Sequence, residues 1–314
     1  MADNNGIRSG SLQFWPRCRA KKVIPSVNWK DISKKDTGLL GFIGYKAGMI
    51  SVWAKDDTPD SMTKGKRIAI PATVLECPTM KIYSVRFYKN GKVSKDVVVT
   101  NDKGLKKRVK ISKEVKGLGD EKDFEDVRVI LYSNVKDIAI SKKVPDMIEV
   151  AVSGNKEDKL KFIKERVGKD ISVTEVFGKG LVDVRAVTKG FGTQGPVGRM
   201  GISLKNHKSE KGVRRPGSLA PWHPARVTFR TPMMGQTGYQ TRVSYNSLVL
   251  EVGKASQKDV TPSGGFTHYG VVKNDYVLIK GSIPGPQKRG IVITQALRPT
   301  KKQAKKKYEV LELR

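Results

Sequence analysis

Several groups of residues have types and spacings that could do chemistry. Gly190-Phe191-Gly192-Thr193-Gln194-Gly195 fits the G-x-G-x-x-G pattern that turns backbone amides toward a dinucleotide, and Glu210 stands twenty residues after its first glycine. That use requires a helix starting at the glycines to aim those amides. Gly195-Pro196-Val197-Gly198-Arg199-Met200-Gly201 follows instead, a stretch poorly suited to a helix, so no dinucleotide site is expected. A G-x-x-x-x-G-K-[ST] phosphate cradle is absent. Asp56, Asp57 and Asp60 could serve a metal or acid/base role, but Thr58-Pro59 between them reads as a solvated turn. The acidic run from Asp120 to Asp126 lacks the spacing and glycine of a calcium loop and reads as charge-balanced surface. His207, His223 and His268 accompany no recognisable nucleophile motif. Cys18 and Cys77 are far apart with no Cys-x-x-Cys, so they read as reduced thiols rather than a disulfide or a zinc ribbon. The expectation is a protein with no catalytic group, no metal and no cofactor.

What remains is the chemistry of a polycation. The 314 residues carry 61 Lys+Arg against 30 Asp+Glu, a net charge of +31, more than solubility needs, which points to a polyanionic partner. The charge is sorted along the chain. Residues 91–165 hold 18 basic and 14 acidic side chains, while the other 239 residues hold 43 and 16. The stretch 188–232 has nine Lys+Arg, one acid (Glu210), seven Gly and five Pro. It cannot build a core, and ordering it would cost about 1–2 kcal/mol per residue of backbone entropy with little burial in return. It therefore reads as a functional loop ordered from outside, the alternative being a flexible linker. Within it, Pro221-Trp222-His223-Pro224 stiffens a turn that presents an indole for stacking on an unpaired base, a contact offered by irregular or single-stranded RNA more often than by duplex DNA. The RNA-binding candidates are Lys189, Arg199, Lys205, His207, Lys208, Lys211, Arg214, Arg215, Trp222, His223, Arg226 and Arg230, with Arg17, Arg19, Lys21 and Lys22 near the start and Lys301 and Lys302 near the end.

The elements that must position these residues are mostly strands. Gly41–Trp53, Arg67–Leu75, Ile82–Tyr88, Ser172–Phe177, Leu181–Val187, Ser247–Val252, Asp275–Ile279 and Gly290–Thr294 are short, rich in β-branched and aromatic residues, and separated by turn residues. Asn90-Gly91 predicts a hairpin turn. Between these groups, Val127–Tyr132 and Ile148–Val152 read as strands and Lys156–Arg166 as a helix, with Leu160, Ile163 and Val167 on one face. The expected fold class is mainly β with an α+β insertion: an antiparallel barrel, a small inserted α/β domain and long basic extensions. The expected boundaries are an extension at 1–37, barrel at 38–90, insert at 91–165, barrel at 166–187, basic loop at 188–232, barrel at 233–297 and basic tail at 298–314. No apolar run is long enough for a membrane helix, and Met1–Gly6 lacks a signal-peptide stretch, so a soluble cytoplasmic chain is expected.

Four stretches carry a family resemblance: Gly41-Phe42-Ile43-Gly44-Tyr45-Lys46-Ala47-Gly48-Met49, Ala220-Pro221-Trp222-His223-Pro224-Ala225-Arg226-Val227, Gly235-Gln236-Thr237-Gly238-Tyr239 and Val277–Pro286. The chain resembles the ribosomal protein L three family of the large subunit, in its archaeal and eukaryotic form, and its length looks archaeal. The resemblance implies a barrel similar to one in translation factors, and a basic loop reaching through rRNA toward the peptidyl transferase centre. On that pattern the loop tip falls at Trp222 and its stem at Lys205, Lys208, Lys211, Arg214 and Arg215. Large-subunit rRNA and neighbouring ribosomal proteins would be the partners, with no membrane and no small-molecule substrate. Eukaryotic members have a histidine twelve residues before the tip tryptophan; this chain has Glu210 there, so no role of that histidine carries over. Two other classes remain open to the charge: an RNA-modifying or RNA-cleaving enzyme, and a DNA-compacting protein.

Overall fold

The computed structural model describes residues 8–34, 36–111, 115, 117–119 and 123–314. The expectations for Met1–Gly6 and for Asp120–Lys122 lie outside them. The chain divides into two compact units. One takes Lys22–Ala186 with Arg242–Arg314, the other Met1–Lys21 with Val187–Thr241.

Among the described residues, fourteen strands make up a mainly β, antiparallel structure. In chain order they are β1 Gly38–Leu39, β2 Gly41–Asp56, β3 Arg67–Cys77, β4 Met80–Lys89, β5 Lys92–Val98, β6 Asp126–Ser133 and β7 Met147–Ser153. Then come β8 Gly180–Val187, β9 Gly190–Gln194, β10 Gly235–Gly238, β11 Thr241–Gly253, β12 Asp275–Lys280, β13 Gly290–Gln295 and β14 Tyr308–Leu313. The larger unit carries two sheets. One runs β13-β8-β11-β12-β3-β2-β14, and β13 also pairs with β2 (Val292 opposite Ile43), so six of its strands form a closed ring of pairings. It departs from a simple barrel because β2 is sixteen residues long: its first part pairs with β13, and its far end pairs with β14 (Val310 opposite Ala54). The second sheet runs β1-β7-β6-β4-β5.

The two sheets share one core, in which Phe42, Ile43, Leu75, Val184, Leu278 and Ile293 from the ring meet Ile82, Val85, Val129 and Val150 from the second sheet. The Tyr45 hydroxyl donates to Asp146 Oδ2 at 2.6 Å and lies 2.8 Å from Ser133 Oγ. Burial and the Asp146 carboxylate hold that phenol well above its usual range. Glu76, fully buried, accepts from the Tyr269 hydroxyl (2.5 Å), Asn274 Nδ2 (2.8 Å) and the amides of Lys273 (3.0 Å) and Asn274 (3.1 Å). Lys46 Nζ donates to the carbonyls of Ile283 (2.8 Å) and Gly285 (3.1 Å), which joins two of the stretches that carry the family resemblance.

Several elements differ from the sequence reading. Asn90 and Gly91 both take positive φ (50° and 70°), as a tight hairpin turn requires. That turn joins β4 to β5 within the second sheet, so the boundary drawn at 90/91 cuts through a hairpin; strand composition does not reveal which sheet a strand will join. Val173–Val176 is a short helix (α2, after α1 Lys156–Arg166) instead of a strand. Ser172 and Glu175 are bonded side chain to side chain at 3.2 Å, and Val173 and Val176, three apart, are both buried; helical spacing outweighs β-branched composition. Within the supposed extension, Trp29 and Ile32 are core residues. Within the supposed tail, Tyr308–Leu313 is the strand β14, and Lys301–Ala304 forms one helical turn. No described helix is long and apolar enough to cross a membrane.

Asp56 is buried and not part of a solvated turn. It accepts from the Thr58 amide (2.9 Å), Ser61 Oγ (2.7 Å) and Thr63 Oγ1 (2.5 Å). Burial alone would raise its pKa, but these hydrogen bonds prevail and hold the carboxyl far below the usual carboxylate range. Asp56→Ala is expected to cost about 1–2 kcal/mol at neutral pH, because three donors lose their acceptor. A depressed folded pKa stabilises only above the unfolded value, about 3.9, and that contribution fades as the pH falls toward the folded value. The gap in melting temperature between parent and Asp56→Asn should therefore start to narrow only below about pH 4 and go on narrowing as the pH falls further, and a gap independent of pH would refute the account.

Candidate nucleic-acid interface

The smaller unit is built on a two-stranded ribbon. β9 pairs with β10, with Gln236 opposite Thr193 and Thr237 opposite Gly192, and the register shifts at Gly238. Gly238 has φ 67°, and a Cβ there would sit 2.0 Å from the Lys189 carbonyl oxygen, so the ribbon's close backbone approach admits only glycine. Pro196–Met200 then forms a short helix, α3, against the expectation that this stretch would resist one. Pro196 occupies the first turn, where its missing N–H is not needed, and Gly201 ends the helix in the left-handed region at φ 62°. The glycines of the G-x-G-x-x-G pattern lie mostly in β9, upstream of this five-residue helix.

The N-terminal segment lies along the ribbon and α3. Ser9 N donates to Met200 O (2.7 Å), Arg17 Nη1 to Arg199 O (3.4 Å), and Ala20 N to Tyr239 O (2.8 Å). Arg199 donates from Nη1 to Met233 O (2.9 Å) and from Nε to Gln236 O (3.2 Å), closing the base of the loop. Arg17 and Arg199, expected as RNA contacts, are thus half-buried and engaged with the chain itself.

Residues 201–234 contain no helix or strand. A few local bonds shape them: Lys205 N to Val213 O (3.1 Å), Ala225 N to Trp222 O (3.0 Å), and Thr231 Oγ1 to Leu219 O (2.9 Å). Lys205, His207, Lys208, Lys211, Arg214, Arg215, His223, Arg226 and Arg230 are all exposed, and the Trp222 side chain is 88% exposed. Lys189 is exposed beside Phe191, its Nζ 5.9 Å from the ring centroid. Arg19 and Lys21 line an open hollow with Gly190, Gly192, Gln236 and Tyr239. Lys22, Lys301 and Lys302 belong to the larger unit and are exposed there.

Sequence reasoning passed over Arg8, Trp15 and Phe229. The Trp15 and Phe229 rings lie 5.1 Å apart, and Arg8 Nη1 donates to Arg230 O at 2.5 Å. No spacing rule joins residues so distant in the chain; the available signal was the placing of two large aromatics inside cation-rich, core-poor segments. The smaller unit has 13 Lys+Arg against two acids, Asp3 and Glu210. Its exposed parts offer cations, backbone amides and aromatic faces. That set suits phosphates and unpaired bases.

Comparison with known proteins agrees with this chemistry. The family model described as Ribosomal protein L3 matches residues 1–110 and 85–313. The large ribosomal subunit protein uL3 of Methanothrix thermoacetophila is 40% identical, over 99% of this chain and 97% of its own length. The proteins of the same name from Archaeoglobus fulgidus and Methanocaldococcus jannaschii are each 40% identical, over 94% of this chain and 92% of theirs. With both matches running almost end to end, the chain belongs to the ribosomal protein L3 family.

Proposed function

We propose that the chain is a non-catalytic structural constituent of the large ribosomal subunit, in the cytoplasm, where it binds large-subunit rRNA and neighbouring ribosomal proteins. The observation that carries this reading is the 201–234 segment, which has seven Lys+Arg, one acid and no regular structure, with an indole almost wholly in solvent. Apolar burial cannot offset its ordering entropy, whereas paired phosphates and a stacked base can. Its relatives are proteins of the large ribosomal subunit, whose rRNA supplies the polyanion.

In this reading the six-strand ring is the translation-factor-like barrel and the second sheet with α1 is the inserted α/β domain. The stem Lys205, Lys208, Lys211, Arg214 and Arg215 tracks phosphates, and Trp222 leads toward the peptidyl transferase centre. Lys22, Lys301 and Lys302 add contacts from the larger unit, and binding at several rRNA segments supports early assembly of the subunit. RNA, and not the polypeptide, does the chemistry. In a sucrose gradient of cell extract the native protein is expected to sediment with large-subunit particles and to leave that fraction after RNase treatment. Free protein at moderate salt, or protein held on DNA after RNase, would overturn the reading.

A further inference from the structure

The Trp15 and Phe229 side chains are 56% and 48% exposed, although such rings normally gain most by burial. They come from segments more than two hundred residues apart, yet their centroids lie 5.1 Å apart with the planes tilted by 54°. The rings are not stacked face to face, and both keep surface in solvent. Their placement is built rather than incidental. Arg8 donates to the carbonyl of Arg230, beside Phe229, and its other terminal nitrogen reaches Met200 Sδ at 3.4 Å. Ser9 bonds to the Met200 carbonyl through both its amide (2.7 Å) and its hydroxyl (3.0 Å). These bonds hold the segment just upstream of Trp15 against Met200 and against Arg230, the neighbour of Phe229.

The surroundings select the ligand. The Arg230 guanidinium lies 6.0 Å from the Phe229 ring centroid, and an open hollow of about 480 Å³ is lined by Arg226, Val227, Thr228, Phe229 and Arg230. The hollow's lining has two cations and no acid. An apolar protein partner would satisfy the rings and leave the guanidinium groups unmatched. A strand carrying a flat base on an anionic backbone satisfies both. In a duplex the base faces are already stacked, so the fitting ligand is an unpaired nucleotide.

We propose that Trp15 and Phe229 form a second base-stacking site, for an unpaired nucleotide of single-stranded RNA, in addition to the exposed indole of Trp222. The proposal rests on the reading that this unit binds RNA. The test uses the full chain with fluorescein-labelled oligoadenylate, either single-stranded or annealed to oligouridylate, titrated across a range of salt. Phe229→Ala and Trp15→Ala are each expected to weaken single-strand binding about 5- to 150-fold. Duplex binding and the salt slope should not move, because no phosphate contact is removed. Trp15→Phe and Phe229→Tyr, which keep an aromatic face, should restore most of the affinity. Equal losses on single strand and duplex, failure of the aromatic replacements to restore binding, or parent-like binding by both alanine variants would overturn the second site. Should the unaltered chain bind neither strand in a salt-dependent way, the RNA-binding reading itself would fall, which the slope of the parent titration reveals before any variant is made.

Discussion

Replacing Lys205, Lys208, Lys211, Arg214 and Arg215 together by alanine is expected to lower affinity for large-subunit rRNA about a thousandfold at physiological salt, and to flatten the salt slope by about 3.5 to 4.5. The slope follows from counterion release. Each phosphate neutralised contributes roughly 0.7 to 0.9 to the dependence of log affinity on log salt, and five contacts are removed. All five side chains are exposed, and none has an ion-pair partner among the described residues, so the fold loses nothing. The melting temperature should be that of the parent. Affinity and slope measured by fluorescence anisotropy over a salt series give the answer. A large loss of affinity with an unchanged slope would mean that these side chains do not meet phosphates.

The second large effect is on stability. Glu76→Ala should cost about 3–5 kcal/mol, because a fully buried carboxylate that gathers four donors disappears, and the buried Tyr269 hydroxyl and the part-buried amides of Lys273 and Asn274 lose their acceptor. Two of those donors are backbone amides of Lys273 and Asn274, immediately before β12, and Tyr269 belongs to the loop leading to it. The loop would thus lose its anchor just before a strand that sits between β3 and β11. Thermal melting should show a drop of about 10 °C or more. Glu76→Gln, which keeps the shape and one acceptor oxygen, should lose less. A variant that melts within about 1 °C of the parent would show that water or neighbouring groups take over the donors.

How much of this was legible in the sequence depends on how local each feature is. The helix Lys156–Arg166, with Ile163 buried, followed from three-to-four spacing, and the hairpin followed from Asn90-Gly91, because both are decided within a few residues. Strand existence was legible for β2, β3, β4, β6 and β12, while strand partnership was not: β4 looks like a ring strand and joins the other sheet. β14 was hidden because Glu309 and Glu312 alternate with Tyr308, Val310 and Leu313 in a stretch dominated by lysines just upstream. Asp56 read as part of a solvated turn, and nothing in the sequence singled out Glu76, because the donors that hold both are visible only in three dimensions. At the candidate interface, charge and the isolated Trp222 stood out, whereas the inward use of Arg17 and Arg199 and the meeting of Trp15 with Phe229 depend on tertiary geometry.

The pairing of β2 with β13 has a consequence for biosynthesis. Its two strands lie at opposite ends of the chain, so the ring cannot close until residue 295 has been made and has emerged from the ribosome. Until then a nascent chain carries at least one unsatisfied strand edge, the kind of surface that seeds aggregation. A message truncated upstream of Gly290 would accordingly yield a product that cannot complete its body at all, and it should appear in the insoluble fraction rather than as a shortened functional protein.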